Sequence, residues 1–207
     1  MQITKLIELS KNRSKVYIDD EFAFVLYKGE LRLYNIKEEQ ELEEEQYHQI
    51  LFEILPKRAK LRCMNLLKSR EYTEKQLRDK MRQGLYPERI IEEAIAYVKS
   101  YHYVDDDNYA FQYISYHISG KSMKRVETDL LKKGIEKSVI QEAFMRLQSE
   151  GVTSDEVSLI RGLLKKKHYD PNTATKKEKA QIFSYLYRKG FLIENINKII
   201  QTAEIDM

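Results

Sequence analysis

The sequence predicts a mainly α-helical protein: three tandem three-helix repeat modules in an elongated curved array, preceded by a small antiparallel β-sheet and a helix. Three observations predict it. A glycine is followed six positions later by an isoleucine that opens an apolar helical stripe at Gly84 and Ile90, at Gly134 and Ile140, and at Gly190 and Ile196. A repeat of about 50 residues is too short to bury a good core alone, so such modules stack. The first 55 residues have a different texture, with short runs rich in β-branched and aromatic side chains. Finally, 33% charged and 42% hydrophobic residues with only 7 glycines and 3 prolines describe an ordered, helix-rich chain and not a linker.

The elements follow in order. Ile3 to Leu9, Val16 to Ile18 and Phe22 to Tyr27 read as strands, separated by the polar segments 10–14 and 19–21. Glu38 to Leu55 reads as a helix with Leu42, Gln46, Gln49, Ile50 and Ile54 near one face. Pro56 should kink or end it, because the proline ring removes a backbone hydrogen bond, and a domain boundary is expected about there.

The first module opens with a helix whose apolar face is Ala59, Cys63, Leu66 and Leu67. Thr73 to Gln76 then forms a capping box, with Tyr72 and Leu77 placed as a hydrophobic staple. Tyr109, Ala110, Tyr113, Ile114 and Ile118 open the second module and Gly120 ends that run; Val157, Ile160, Leu163 and Leu164 open the third. Apolar pairs precede the repeated glycines: Val126 and Leu130, then Ile182 and Leu186, at eight and four positions upstream. Leu77 and Met81 are shifted by one relative to Gly84. Each glycine reads as a left-handed C-cap, a conformation that costs glycine little. The closing helices carry Ile90, Ile91, Ala94, Ile95 and Val98, then Val139, Ile140, Ala143, Phe144 and Leu147, then Ile196, Ile199 and Ile200. Asp170-Pro171-Asn172 marks a loop from Tyr169 to Thr175. The expected organisation is a sheet-plus-helix extension over 1–55 and modules over 57–105, 106–151 and 152–207.

Charge is unevenly distributed. Residues 1–55 carry 7 Lys or Arg against 12 Asp or Glu, whereas the remainder carries 29 against 21. The basic excess is densest from Lys57 to Arg82, where Arg58, Lys60, Arg62, Lys68, Arg70, Lys75, Arg78 and Lys80 far outnumber Glu71, Glu74 and Asp79. Lys132, Lys133, Arg188 and Lys189 lie in last turns before the capping glycines. Such residues either attract phosphates or an acidic protein groove, or serve as solvated faces and dipole partners. Tyr101, Tyr103, Tyr109, Tyr113 and Tyr116 are likewise either base-stacking groups or, as the helical spacing favours, an inter-module seam.

Catalytic chemistry finds no constellation. His48, His102, His117 and His168 fall in different segments without metal-ligand spacing, and Cys63 is the lone cysteine, on an apolar stripe. There is no phosphate-binding glycine loop or nucleophile elbow. Asp105-Asp106-Asp107 reads as a helix N-cap with first-turn carboxylates and not as a metal site. No cofactor is implied. Without a long apolar run or a signal-peptide core, a cytoplasmic location is expected, and no heptad seam argues for anything but a monomer.

An ordered set of short motifs resembles the RecX family of bacterial RecA regulators. It comprises Leu67, Arg70, Thr73, Gln76 and Leu77; Tyr103-Val104-Asp105-Asp106 with Tyr109-Ala110; Lys133-Gly134-Ile135; and Tyr185-Leu186 with Arg188-Lys189-Gly190-Phe191. The match runs from residue 57 to about 201, and the sheet is similar to the extension of RecX proteins from low-GC Gram-positive bacteria. His102 stands where the family usually has glycine, Val104 replaces the usual leucine, and Gln76 replaces the capping glutamate. The resemblance implies a non-enzymatic modulator that lies in the groove of the RecA filament on single-stranded DNA. Such a modulator mostly inhibits ATP hydrolysis, strand exchange and coprotease function. The basic residues named above are then candidates for the filament contact. The competing expectation is a direct DNA-binding protein built from helix-turn-helix-like modules, though the closing helices devote their faces to apolar residues.

Overall fold

Alternation of core-facing and outward side chains builds the sheet. In the computed structural model, which describes residues 1–201, strands β1 (Ile3–Ser10), β2 (Arg13–Ile18) and β3 (Glu21–Tyr27) form an antiparallel sheet in the order β1-β2-β3. Ser14, Val16 and Ile18 of β2 face inward and pair with Leu26, Phe24 and Glu21. The strands extend further into the polar segments than their apolar runs suggested. Lys11 and Asn12 alone separate β1 from β2, and Asp19-Asp20 turns with φ of 48° and 66°. Two positive φ values define the hairpin turn whose twist matches the strands, and aspartate tolerates them better than most residues.

A short helix α1 (Lys28–Leu33) follows, which the sequence pattern did not disclose. The expected helix from Glu38 begins only at Glu44. Its first residues run instead along β1: Ile3 accepts from Glu39 N–H, Gln40 accepts from Ile3 N–H, and Leu42 donates to Met1 and is buried. Helix α2 (Glu44–Gln49) then continues through a π turn (Ile50–Ile54) into α3 (Leu55–Ser69). Pro56 therefore neither ends the helix nor separates two cores. The widened turn, in which Leu55 N–H reaches Ile50 O, relieves the clash a proline ring makes with the carbonyl four residues earlier.

Consequently the sheet and the first helical module share one core. Ile3, Val16, Phe24 and Leu26 cluster with Ile50, Leu55, Ala59 and Cys63 of the long helix. Leu77 and Met81 of α4 (Glu74–Gln83) and Ile90 to Val98 of α5 (Glu88–Ser100) complete it. This unit spans Met1–Asp105. Cys63 belongs to its packing; burial pushes the thiol up to about 11 against the opposing charge of Arg62, so it is inert. Thr73 and Gln76 exchange the expected capping bonds, at 3.2 and 3.3 Å, and Tyr72 and Leu77 are both buried.

The second unit, Asp106–Met207 with description to residue 201, contains two helical triplets. Helices α6 (Asp106–His117), α7 (Met123–Lys132) and α8 (Lys137–Ser149) enclose Ala110, Ile114, Val126, Leu130, Ile140 and Leu147. Helices α9 (Glu156–Lys166), α10 (Lys176–Arg188) and α11 (Ile193–Gln201) enclose Ile160, Leu164, Ile182, Leu186, Ile196 and Ile199. Asp105 immediately precedes α6, with Asp106 and Asp107 in its first turn, as a capping role requires. Polar bonds join the triplets. Ser122 Oγ donates to Lys189 O at 2.7 Å, and the buried carboxylate of Glu156 accepts from Met123 N–H at 3.1 Å and Asn195 Nδ2 at 3.0 Å. No helix among the described residues is long and apolar enough to cross a membrane.

Two of the three repeated glycines are left-handed caps, Gly134 at φ 89° and Gly190 at 86°, but Gly84 is not, at −77°. The helix obeys the spacing from its apolar pair. The residue four beyond Leu130 and Leu186 is glycine, whereas four beyond Met81 stands Leu85, which takes φ 60°. Each helix then closes with the same bond from the next residue back to the apolar anchor: Tyr86 to Met81, Ile135 to Leu130, and Phe191 to Leu186. Gly84 answers a packing need instead, since a Cβ there would lie 3.0 Å from the Tyr86 ring. His102, standing where the resembling family has glycine, likewise adopts φ 55°.

Gly190 and Gly151 separate backbone strain from close approach. Gly151 has φ 81°, and a Cβ added there would meet nothing within 4 Å, whereas at Gly190 that atom would lie 2.9 Å from Ser122 Oγ and 3.3 Å from Arg125 N. Gly151→Ala is expected to cost about 1–2 kcal/mol, the left-handed penalty alone. Gly190→Ala should cost measurably more in urea unfolding, because it also disturbs the Ser122 contact; equal losses would contradict the close approach of Gly190 to Ser122.

Candidate functional site

Half of the basic run in the first unit is already engaged by carboxylates. Arg58 is the most enclosed. Its guanidinium reaches Glu30 Oε2 at 2.6 Å and donates to Val25 O at 2.7 Å, 4.9 Å from the Tyr27 ring and 5.3 Å from the Tyr86 ring. With its side chain only 17% exposed, Arg58 fastens β3 and α1 to α3 and is not available as a contact residue. Arg78 forks onto Glu92 at 2.8 and 2.9 Å and also meets Glu74 at 2.9 Å. Those bonds, Glu92 foremost and against the cost of burial, raise its pKa. Burial pushes Glu74 up, but hydrogen bonds from Lys99 and Arg78 outweigh it and hold its carboxyl below the ordinary value. Lys60 pairs with Glu93 at 2.7 Å, Lys75 with Asp79 at 3.3 Å, and Arg82 with Glu88.

What remains outward in this unit is a smaller set. Lys57, Arg62, Lys68, Arg70 and Lys80 make no ion pair among the described residues; Arg70 lies over the Tyr72 ring at 4.3 Å and Lys80 donates to Gln83. Beside Lys68, a hollow of about 300 Å³ is lined by Met64, Leu67 and Tyr103. Tyr103 stacks on Tyr101 at 5.7 Å, and both rings are more than half exposed.

The tyrosines therefore divide. Tyr109 and Tyr113 do pack against the core of the second triplet, stacked at 6.3 Å. Tyr116 does not belong to a seam: it is 80% exposed, because its position rotates off the Ala110 and Ile114 face of α6. Lys133 lies over Tyr109 and Tyr113 at 5.5 and 5.3 Å, and Lys121 donates to Asp129 at 2.9 Å and to Tyr113 Oη at 3.1 Å. Arg125 also reaches Asp129, at 3.1 Å. Burial opposes these bonds, yet Lys121 and Arg125 hold the Asp129 carboxyl below its usual range.

Lys132, Lys133, Arg188 and Lys189 occupy helix C-termini as expected, where the dipole favours cations. Lys189 Nζ sits 5.2 Å from the Tyr185 ring. Around Arg188 the fold gathers Lys166, Lys167 and Lys177, which sequence reasoning did not single out. They come from the end of α9 and the start of α10, so no periodic spacing in the chain announces them. Among the described residues, no three His, Cys, Asp or Glu side chains gather as metal ligands would.

Comparison with known proteins supplies the relationship. Residues 59–97 match the first three-helix domain of RecX, and residues 154–200 match its third three-helix domain. The chain is 35% identical over 202 residues to the regulatory protein RecX of Caldanaerobacter subterraneus subsp. tengcongensis, covering 97% of this chain and 98% of that one. It is 30% identical over 217 aligned residues to the regulatory protein RecX of Clostridioides difficile, covering 99% of each. A crystal structure of regulatory protein RecX has a similar fold, with a TM-score of 0.61 at 23% identity, covering 97% of this chain and 98% of that one. That of RecX from Lactobacillus salivarius gives 0.58 at 25% identity, covering 73% of this chain and 98% of its own.

Arg58 and Lys75 offer opposite expectations. Arg58→Met leaves the partly buried Glu30 carboxylate and the Val25 carbonyl without their donor, and should destabilise by about 2–4 kcal/mol. Lys75→Met removes an exposed pair and should cost no more than about 0.5 kcal/mol. Urea unfolding of both variants checks this, and a small loss at Arg58 would return that residue to the surface set.

Proposed function

Because the chain belongs to the RecX family, as its identity along almost the full length of a RecX relative shows, we propose that it is a non-enzymatic regulator of the RecA recombinase. It binds the filament that RecA forms on single-stranded DNA and mostly inhibits ATP hydrolysis, strand exchange and coprotease function. The relatives are named regulatory proteins, which supports regulation over catalysis.

The observation that carries the reading is the division of the cations into paired and outward sets. Arg62, Lys68, Arg70 and Lys80 in the first unit, and Lys132, Arg188 and Lys189 in the second, are the residues proposed to meet the filament, with Lys133, which lies over the Tyr109 and Tyr113 rings, a secondary candidate. Lys60, Lys75 and Arg78 are secondary candidates, since each would have to leave a carboxylate. Arg58 is removed from the set. Outward cations in both units also allow simultaneous contacts, which raises avidity beyond that of either alone.

Direct reading of duplex DNA is less well supported. Helix α5 buries Ile90, Ile91, Ala94, Ile95 and Val98, and its outer face carries Glu88, Glu92 and Glu93. These carboxylates pair with Arg82, Arg78 and Lys60, so this face offers few unpaired cations to a phosphate-lined groove.

Substoichiometric protein is expected to slow RecA-dependent ATP hydrolysis and strand exchange on single-stranded DNA while hydrolysing nothing itself. The Arg62→Glu, Lys68→Glu, Arg70→Glu variant should inhibit less while unfolding at nearly the same temperature, because exposed charges contribute little to stability. Unchanged RecA kinetics at equimolar protein would refute the reading. Arg78 is a poor probe, because reversal there confronts Glu74 and Glu92.

A further inference from the structure

Tyr103 is held against α3 by the way α5 ends. Past Ser100 the chain turns through His102; His102 N–H donates to Lys99 O at 2.8 Å and Tyr103 N–H to Val98 O at 3.0 Å. The next residue, Val104, is buried in the core of the first unit. The backbone of Tyr103 is thus fixed on both sides. Its ring stacks on Tyr101, which in turn meets Tyr97 at 5.0 Å. Beside this short aromatic wall lies the hollow of about 300 Å³, completed by Met64, Leu67 and Lys68 of α3.

The chemistry of this hollow selects its occupant. Met64 and Leu67 pack against the core, so the floor is continuous with rigid packing, and the methionine can adapt to a guest. Tyr103 lies outside that core and stays more than half exposed. Lys68 is the single charged group in the lining, and no carboxylate joins it among the described residues. Lys57, Leu61, Met64 and Lys68 follow one another on α3 at the three- and four-residue spacings that share a helix face. Leu61 is exposed, and Lys57 and Lys68 are exposed without an ion pair among the described residues. A nucleobase entering the hollow would leave its polar edge unsatisfied against Met64 and Leu67, as buried polar groups may not be without cost. A cationic side chain would meet Lys68. An apolar side chain meets neither penalty, and carboxylates beside it in its own chain would find Lys57 and Lys68.

From this arrangement we propose that the hollow between α3 and Tyr103 docks a protein segment in which one phenylalanine or leucine is flanked by aspartate or glutamate. The apolar side chain enters between Met64, Leu67 and Tyr103, and its acidic neighbours lie over Lys68 and Lys57. Lys68 is then a contact to protein and not to phosphate. A site of this size holds its segment weakly, so it acts by fixing where a larger complex makes contact. The proposal rests on the filament reading only in taking the chain to bind a protein partner, and its test uses neither RecA nor a filament.

The test is an NMR titration of the intact, isotope-labelled chain with a capped peptide that places phenylalanine between two pairs of carboxylates. The Met64 methyl and the Lys68 and Tyr103 amides should shift saturably, with a Kd on the order of 0.1–1 mM. Replacing the peptide's phenylalanine by alanine should weaken binding about tenfold or more, the loss expected for one buried aromatic side chain. Tyr103→Ala should do the same from the other side, whereas Tyr116→Ala, which removes an exposed ring of the second unit, should bind like the parent. Lys68→Gln should weaken binding about two- to fivefold, and less at high salt. Should Tyr103→Ala fold poorly, the alanine peptide and Lys68→Gln decide the matter. No saturable shift at millimolar peptide, equal binding of the alanine peptide, or equal binding of a peptide with lysines in place of its carboxylates would each overturn the site. So would oligothymidylate shifting the Met64 methyl in place of the peptide, or shifts that follow protein concentration alone, which would mark a second copy as the occupant. Failure of the peptide with inhibition of RecA intact overturns the hollow alone; peptide binding with unchanged RecA kinetics upholds the hollow and overturns the filament reading.

Discussion

The first half of the molecule depends on one unbroken helical run, from Glu44 to Ser69, that passes through Pro56. A proline inside a helix ordinarily costs about 3 kcal/mol or more, because its ring meets the carbonyl one turn back. The π turn at Ile50–Ile54 avoids that conflict by moving the hydrogen bond of Leu55 back to Ile50. Its consequence is geometric. Ile50, Leu55, Ala59 and Cys63 are brought into one buried row against both Phe24 and Leu26 of the sheet and Ile91 and Ile95 of α5. A chain broken at Pro56 would leave the sheet with a single apolar face and nothing to bury it.

Arg58 reinforces that arrangement from the rim. It satisfies the Val25 carbonyl on the free side of β3, where an unpaired strand edge is otherwise an invitation to aggregation. The other edge is occupied too, since residues 39–42 bond to Met1 and Ile3. Both flanks of the sheet thus bond to residues outside its three strands. The second unit uses a different device. There two separate cores are joined by polar contacts, with the buried Glu156 carboxylate placed at the start of α7, where the helix dipole favours negative charge.

Much of this was legible in the sequence, for reasons that can be named. Helix positions followed from apolar periodicity, and all the closing-helix residues expected inside from Ile90 to Val98 are buried. Misreadings arose where a single residue type was trusted over spacing. Glycine at 84 suggested a cap, but the distance from Met81 assigns the left-handed turn to Leu85. Proline at 56 suggested a stop, yet nothing local in the sequence reports that the preceding turn widens. The candidate site was less legible, because charge is counted along the chain and neutralised across it. Arg78 is fourteen positions from Glu92 and Arg58 is twenty-eight from Glu30, separations that no run of basic residues reveals. Lys166, Lys167 and Lys177 escaped notice for the converse reason, being gathered by the loop between α9 and α10 and not by helical spacing.

Regulation by contact asks for surfaces that stay outward while the core holds firm, and the first unit meets this by pairing half of its basic run from Lys57 to Arg82 with carboxylates and leaving Arg62, Lys68 and Arg70 exposed. Its rigidity depends on the sheet and the first module being one cooperative body. Native-state hydrogen exchange measures that directly. Amides of Val16 and Ile18 in β2 should open with the same free energy and the same urea dependence as those of Ile95 and Val98 in α5. If the sheet amides instead exchange at a distinctly lower free energy, with a smaller urea dependence, the helix through Pro56 does not unite the two and the sheet is a separate appendage.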